Sequence, residues 1–214
     1  MSVYKIFLGL LPLIATGVQG AALSLPSGGL QDLSVLPEGF KMAETQWEVD
    51  IRPGKKITLN GTIESVYAQL LELNPSYEID NAEQIAARLA QLKEETTALQ
   101  KSQLARRDHT ECDHAGFKGS VPASAVWEGV QYLWRVGGDA WIGPGECARV
   151  SCSWSAAIGW CSYRNDRWRS PSGFPWIGHA ANTVLNDCKD WLGFVVGRRY
   201  HDSHVAVWVD YESC

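Results

Sequence analysis

Among the polar stretches of this 214-residue chain, "RRYHDSH", Arg198 to His204, carries the residue types best suited to chemistry. His201, Asp202 and His204 can in principle bind a metal or serve as an acid–base pair, since imidazole titrates near neutrality and a carboxylate can orient it. If the stretch ends a strand, side chains three apart point to opposite faces, so His201 and His204 converge only where a turn separates them. The competing reading, which the spacing favours, is a polar turn between two strands. "YRNDRWRS" gathers Arg164, Arg167 and Arg169 around Trp168. Arginines beside an exposed aromatic suit phosphate, lipid-headgroup or glycan contact, and the alternative is a solvated loop pinned by Trp168. His109 and His114 in "HTECDH" could add ligands, while His179 flanks an apolar helical stripe and reads as structural. No Ser-His-Asp signature, HExxH, P-loop or tightly spaced acidic pair occurs, so neither metal nor cofactor is expected.

The cysteines carry the clearest signal. All six (Cys112, Cys147, Cys152, Cys161, Cys188 and Cys214) follow the dibasic pair Arg106-Arg107, as do nine of the ten tryptophans and all five histidines. Structural zinc sites repeat a closely spaced cysteine pair, and a thioredoxin-type site needs C-x2-C. The gaps here are C-x4-C-x8-C with no second pair. An even set in a small exported domain therefore reads as a disulfide framework, whose roughly fifteen pairings the spacing leaves open.

Export is itself written at the amino terminus. "MSVYKIFLGLLPLIATGVQGAALS" has one lysine, an apolar run from Ile6 to Ala15 and a small-residue exit, the layout of a signal peptide over residues 1–20. The run is too short for a membrane anchor, so no stable membrane insertion is expected. The coincidence of Arg106-Arg107 with the change in composition predicts processing there. A protease would cut after Arg107, dividing a pro-region, 21–107, from a mature domain, 108–214. Asn60-Gly61-Thr62 is a glycosylation sequon. The net charge of −5 gives no expectation of nucleic-acid binding.

These residues need elements to hold them. In the pro-region, "MAETQWEVDI" and "KKITL" read as strands around the "RPG" turn. A helix follows with Thr62 as N-cap and Ile63, Val66, Leu70 and Leu73 as its stripe. A second starts with an Asp80–Glu83 capping box and carries Ile85, Leu89, Leu92 and Leu99. Cysteine-free and thinly apolar, this region would be marginal alone, and it reads either as a keeper of solubility or latency, or as a spacer.

In the mature domain, "CARVSCSW" alternates so that Ala148, Val150, Cys152 and Trp154 share one face, with Cys152 toward the core. "AAIGWCSY" completes a hairpin, "VAVWVDY" reads as an inner strand and "GFVVGRRYH" as its partner. "SAVWEGVQYLWRV" is a helix with Ser124 as N-cap. "FPWIGHAANTVLNDC" is another, with Pro175 in its first turn and Ile177, Ala181, Val184 and Cys188 facing the sheet. The expectation is an α+β fold, an antiparallel sheet of about four strands with two helices on one face. Nine tryptophans are too many for such a core, so several should mark a binding surface.

The stretch "YLWRVGGDAWIGPGECARVSCSWSAAIGWC" and the closing "HVAVWVDYESC" resemble small secreted cysteine-rich proteins of filamentous fungi, as does "ITLNGTIESVYAQLLELNPSYEI" before the dibasic pair. More distantly, the order of strands, helix and cysteines is similar to the smut killer toxin family. That resemblance implies an α/β sandwich acting on other cells, in its best-known member through calcium channels, and transfers no functional residue. The expected function is an effector or killer-toxin-like protein binding a protein, lipid or glycan on a target cell. The alternatives are a small secreted hydrolase, such as a nuclease using His201, Asp202 or His204, and a non-toxic surface protein.

Overall fold

The computed structural model describes residues 36–102, 108–112 and 116–214. The expected signal peptide, the Arg106-Arg107 pair and His114 lie outside the described residues. From the amino-terminal side come β1 (Lys41–Ala43), β2 (Gln46–Arg52), β3 (Lys55–Asn60), α1 (Ile63–Leu73), α2 (Tyr77–Asp80) and α3 (Ala82–Ser102). After the dibasic pair follow β4 (His109–Cys112), β5 (Val121–Pro122), α4 (Ala123–Val136), β6 (Trp141–Ile142), β7 (Glu146–Ser153) and β8 (Ala156–Ser162). The chain ends with β9 (Trp168–Arg169), α5 (Phe174–Cys188), β10 (Phe194–Val195), β11 (Gly197–His201) and β12 (Val205–Tyr211).

The α+β class is as the alternation implied, but the main sheet has six strands rather than four, in the order β1-β7-β8-β12-β11-β4. Its centre is the expected antiparallel set. The two additions are edge strands too short to show a period: β4, antiparallel to β11, and β1, parallel to β7. Three two-stranded ribbons, β2–β3, β5–β10 and β6–β9, surround it. Helices α4 and α5 pack on the sheet and on each other, and α1 joins them against β7 and α4. Close approach of α4 depends on Gly129, where a β-carbon would sit 2.3 Å from Ser151 Oγ. Gly159 serves the opposite face, because the Trp208 ring lies where its side chain would be, 2.1 Å away.

One core crosses the expected division at residue 107. Trp47, Val49, Ile51, Ile63, Val66 and Leu70 are buried in the same cluster as Val130, Leu133, Ile158, Phe174, Ile177, Val207 and Val209. The Trp47 ring stacks on Phe174 at 3.5 Å, and its Nε1 donates to Gly61 O at 2.8 Å. Polar contacts cross as well: Ser151 Oγ donates to Glu64 Oε1 at 2.5 Å, Thr45 Oγ1 to Arg149 O at 2.8 Å, and Arg88 to Arg135 O. Each fully buried large apolar side chain contributes about 1.5–3 kcal/mol, so the cysteine-free segment is a structural part of the fold.

Local readings fail where tertiary pairing outweighs local sequence. A bulge between Arg149 and Ser151 shifts the register of β7 by one, and a one-residue shift moves every later side chain to the other face. Cys152 therefore joins Cys147, Cys161, Ala157 and Trp208 in a second cluster on the far face of the sheet, away from the helices. Trp154, expected in line with it, sits at the hairpin tip, 80% exposed with φ +53°. The N-cap of α4 is Pro122, not Ser124, because the β5–β10 ribbon delivers the chain directly into the helix. Thr62 holds the N-cap position of α1 without a capping side-chain bond. Asp80 forms no capping box: it ends α2, accepts from Asn74 Nδ2 at 3.0 Å and pairs with Arg52 at 3.3 Å. Buried Asn81 makes the break before α3, its amide donating to Tyr77 O and Ile51 O.

All six cysteines are paired, as Cys112–Cys188, Cys147–Cys161 and Cys152–Cys214. The first joins edge strand β4 to the end of α5, the second crosses the β7–β8 hairpin, and the third ties β7 to the carboxyl terminus. None reaches the segment before residue 108. No helix among the described residues is long and apolar enough to cross a membrane.

Candidate functional site

The "RRYHDSH" stretch ends β11 and turns back into β12, with His204 N–H donating to His201 O at 3.0 Å and His204 at φ +60°. The turn does not bring His201, Asp202 and His204 together. His201 instead meets Asp108, across 93 residues: Nδ1 lies 3.2 Å from Asp108 Oδ2, while the Asp202 N–H donates to Asp108 Oδ1 at 2.9 Å. Arg199 stands 3.7 Å from the same carboxylate, whose side chain is only 6% exposed. Burial opposes ionisation of Asp108, but the bonds from His201 and Asp202 and the neighbouring His201 and Arg199 charges outweigh it and hold the carboxyl down at about 2. The imidazole packs on Trp176, centroids 4.4 Å apart, and its Nε2 is buried without a partner. The Asp108–His201 pair fastens the turn, and its outer nitrogen is closed off from solvent. The side chains of Asp202 and His204 face solvent.

His109 stacks on Tyr200 at 4.8 Å, and His179 is buried beside Trp134. Among the described residues no group of three His, Cys, Asp or Glu side chains is placed to hold a metal.

The arginine-rich loop separates into different duties. Arg164 binds Asp166 and donates to Ser203 O at 3.1 Å, bracing the turn after β11. Trp168 faces inward against Trp160 and Trp176, with ring centroids 6.1 and 5.2 Å away. Arg167 and Arg169 lie over the ring of Trp141, 4.8 and 5.8 Å from its centroid. Trp141 is 46% exposed, and it stands in the wall of a cleft of about 410 Å³ between the β2–β3 hairpin and the β6–β9 ribbon.

Strand periodicity builds the cleft's first wall. Thr45, Trp47 and Val49 point into the core, so Glu44, Gln46 and Glu48 form a polar row outside. Thr58 of β3 and Ala43 complete that side; Asp139, Trp141, Ile142, Gly143, Pro144, Glu146, Ala148 and Arg167 form the other. The walls are joined at their base. Asp139 N–H donates to Glu48 O at 3.3 Å, Arg169 Nε donates to Asp139 Oδ1 at 3.2 Å, and Lys56 lies 2.9 Å from Glu48 and 3.9 Å from Asp139. The hydrogen bond and charge of Glu48 raise the pKa of Lys56. Glu146 accepts from Gly143 N–H at 2.9 Å and pairs with Lys41 at 3.2 Å. The lining thus offers carboxylate acceptors, amide, hydroxyl and guanidinium donors, and one indole.

Sequence reasoning missed the cleft because its walls lie about 90 residues apart in the chain. The alternation in "ETQWEVDI" foretold a polar face on β2, but not what that face confronts. Asp108 gave no signal at all, its partners being fixed by strand pairing alone. Other exposed aromatics lie outside the cleft. Trp191 and Leu192 are 90% and 60% exposed on a turn held by Asp190, whose carboxylate accepts from the N–H groups of Leu192 and Phe194. Asn60 is exposed at the end of β3. The chain matches no known family model, and no curated protein or solved structure is significantly similar to it.

Proposed function

We propose that this is a secreted, processed effector or killer-toxin-like protein whose cleft at Trp141 binds a wall polysaccharide of another cell. The observation that carries the reading is the composition of that 410 Å³ cleft, which falls within the roughly 300–1,000 Å³ usual for ligand sites. Sugar hydroxyls both donate and accept, so they satisfy carboxylates, Gln46, Thr58 and Arg167 alike, and the half-exposed Trp141 indole, with Arg167 and Arg169 over its ring, adds apolar surface beside them. A phosphate headgroup would confront the carboxylates of Glu44, Glu48, Asp139 and Glu146, and an acyl chain would meet mostly polar groups. Glycan is the target class these groups suit best. The hydrolase reading has less support, because His201 Nε2 is sealed beneath Trp176. Three disulfides accord with an oxidising compartment, and a signal peptide at 1–20 supplies the route there.

The test is co-sedimentation of the secreted protein with insoluble chitin, β-glucan, cellulose and mannan, in parallel with Trp141→Ala. The expected result is retention on at least one polymer and a loss of about tenfold or more in the variant, whose fold is checked by circular dichroism. Retention on none, or equal retention of the variant, would contradict the reading.

A further inference from the structure

We infer that cleavage at the dibasic pair leaves the amino-terminal segment bound, so that the processed protein is a non-covalent assembly of two polypeptides with the cleft at their junction. Hydrolysis adds water across the Arg107–Asp108 amide, giving a carboxylate on Arg107 and an amino group on Asp108. Nothing else holding the two segments together is covalent, since all three disulfides lie within residues 112–214. What holds them is a hydrophobic core cut in two, the hallmark of an obligate interface. Trp47, Ile63, Val66 and Leu70 are wholly buried against the cystine-bearing part, and Trp47 lies flat on Phe174. Strand β1 adds an edge to the shared sheet through its parallel pairing with β7. Buried hydrogen-bonding groups are also matched across the junction, as with Ser151 and Cys152 N–H on Glu64.

Loss of the segment would leave Phe174 and its neighbours bare to water, an apolar patch of the kind that folded chains rarely leave uncovered. The new amino terminus begins at an anchored residue, because Asp108 is fixed by His201 and the Asp202 N–H. The site depends on both parts: Glu44, Gln46 and Glu48 stand before the cut, Trp141, Glu146 and Arg167 after it. The pro-region is therefore a subunit of the working protein. That the chain is cut, and that the pro-region completes a glycan site, rest on the function proposed above; that the two parts hold together once cut rests on the shared core alone.

The experiment is secretion of the full chain from a fungal host with an intact dibasic-pair protease, followed by native gel filtration and then denaturing electrophoresis and mass spectrometry of the peak. Two polypeptides in equal amounts, one ending at Arg107 and one beginning at Asp108, are expected. A variant with Arg106→Ala and Arg107→Ala should elute at the same volume as one chain. Recovery of 108–214 alone, or of only the uncut chain from the unaltered sequence, overturns the inference. Polysaccharide binding is measured on the same fractions. Its absence from both forms defeats the glycan reading and leaves the two-part assembly standing, whereas binding by isolated 108–214 defeats the claim that both parts build the site.

Discussion

The described residues before 103 and those after 107 reach the same core by different means. The later part carries three disulfides and four central strands; the earlier has no cysteine and only one three-residue strand in the main sheet. Cross-links narrow the unfolded ensemble of the later part, whereas the earlier part is held solely by what it buries and by the polar groups it matches. A segment that looks thin by composition can thus be indispensable, because its worth lies in the surface it covers on its neighbour. Trp47 and Trp191 mark the extremes of the same residue type, one fully buried against Phe174 and the other 90% exposed on a turn.

The sharpest way to break this comparison is Trp47→Ala. Removing a wholly buried indole stacked at 3.5 Å on Phe174 should cost about 3–5 kcal/mol, read from urea unfolding with the disulfides intact. A loss below about 1 kcal/mol would mean that the earlier part merely rests on the later one. Next in size is the paired change Cys112→Ser with Cys188→Ser, which opens a link spanning 76 residues and should cost about 2–5 kcal/mol. The same change at Cys147 and Cys161, spanning 14, should cost less if loop entropy dominates. Equal losses would point instead to native packing around the sulfurs.

The smallest expected effect is that of pH on the Asp108 anchor. Its depressed carboxyl adds stability that is fully present above the unfolded value of about 4 and is lost as pH falls through the folded value of about 2. The contribution is roughly 2 kcal/mol. Asp108→Asn should therefore flatten the acid limb of the stability curve between those values, read from urea unfolding at a series of pH values. An unaltered acid limb would show that the contact with His201 does not hold in solution.

Much of the fold was legible because it is periodic. Val205, Val207 and Val209 declare a strand, and Ile177, Ala181, Val184 and Cys188 a helix whose cysteine faces the sheet, where it meets Cys112. What escaped was set by pairing between distant segments. The bulge at Val150 turns Cys152 to the other face, β1 is too short to show alternation, and Asp108 finds His201 only once β4 has docked beside β11. The candidate site was legible in part. Arg167 and Arg169 stand at it, while Arg164 and Trp168 brace the loop behind, and the histidine cluster that first suggested chemistry is an anchored turn.

The central claim is that residues on both sides of the dibasic pair form one cooperative core. Amide hydrogen exchange of the intact chain over a urea series tests it most directly, comparing Trp47, Val49 and Ile51 of β2 with Val207 and Val209 of β12. The account predicts that both groups open with the same free energy and the same urea dependence. Exchange of β2 through a separate opening several kcal/mol below that of β12 would contradict it.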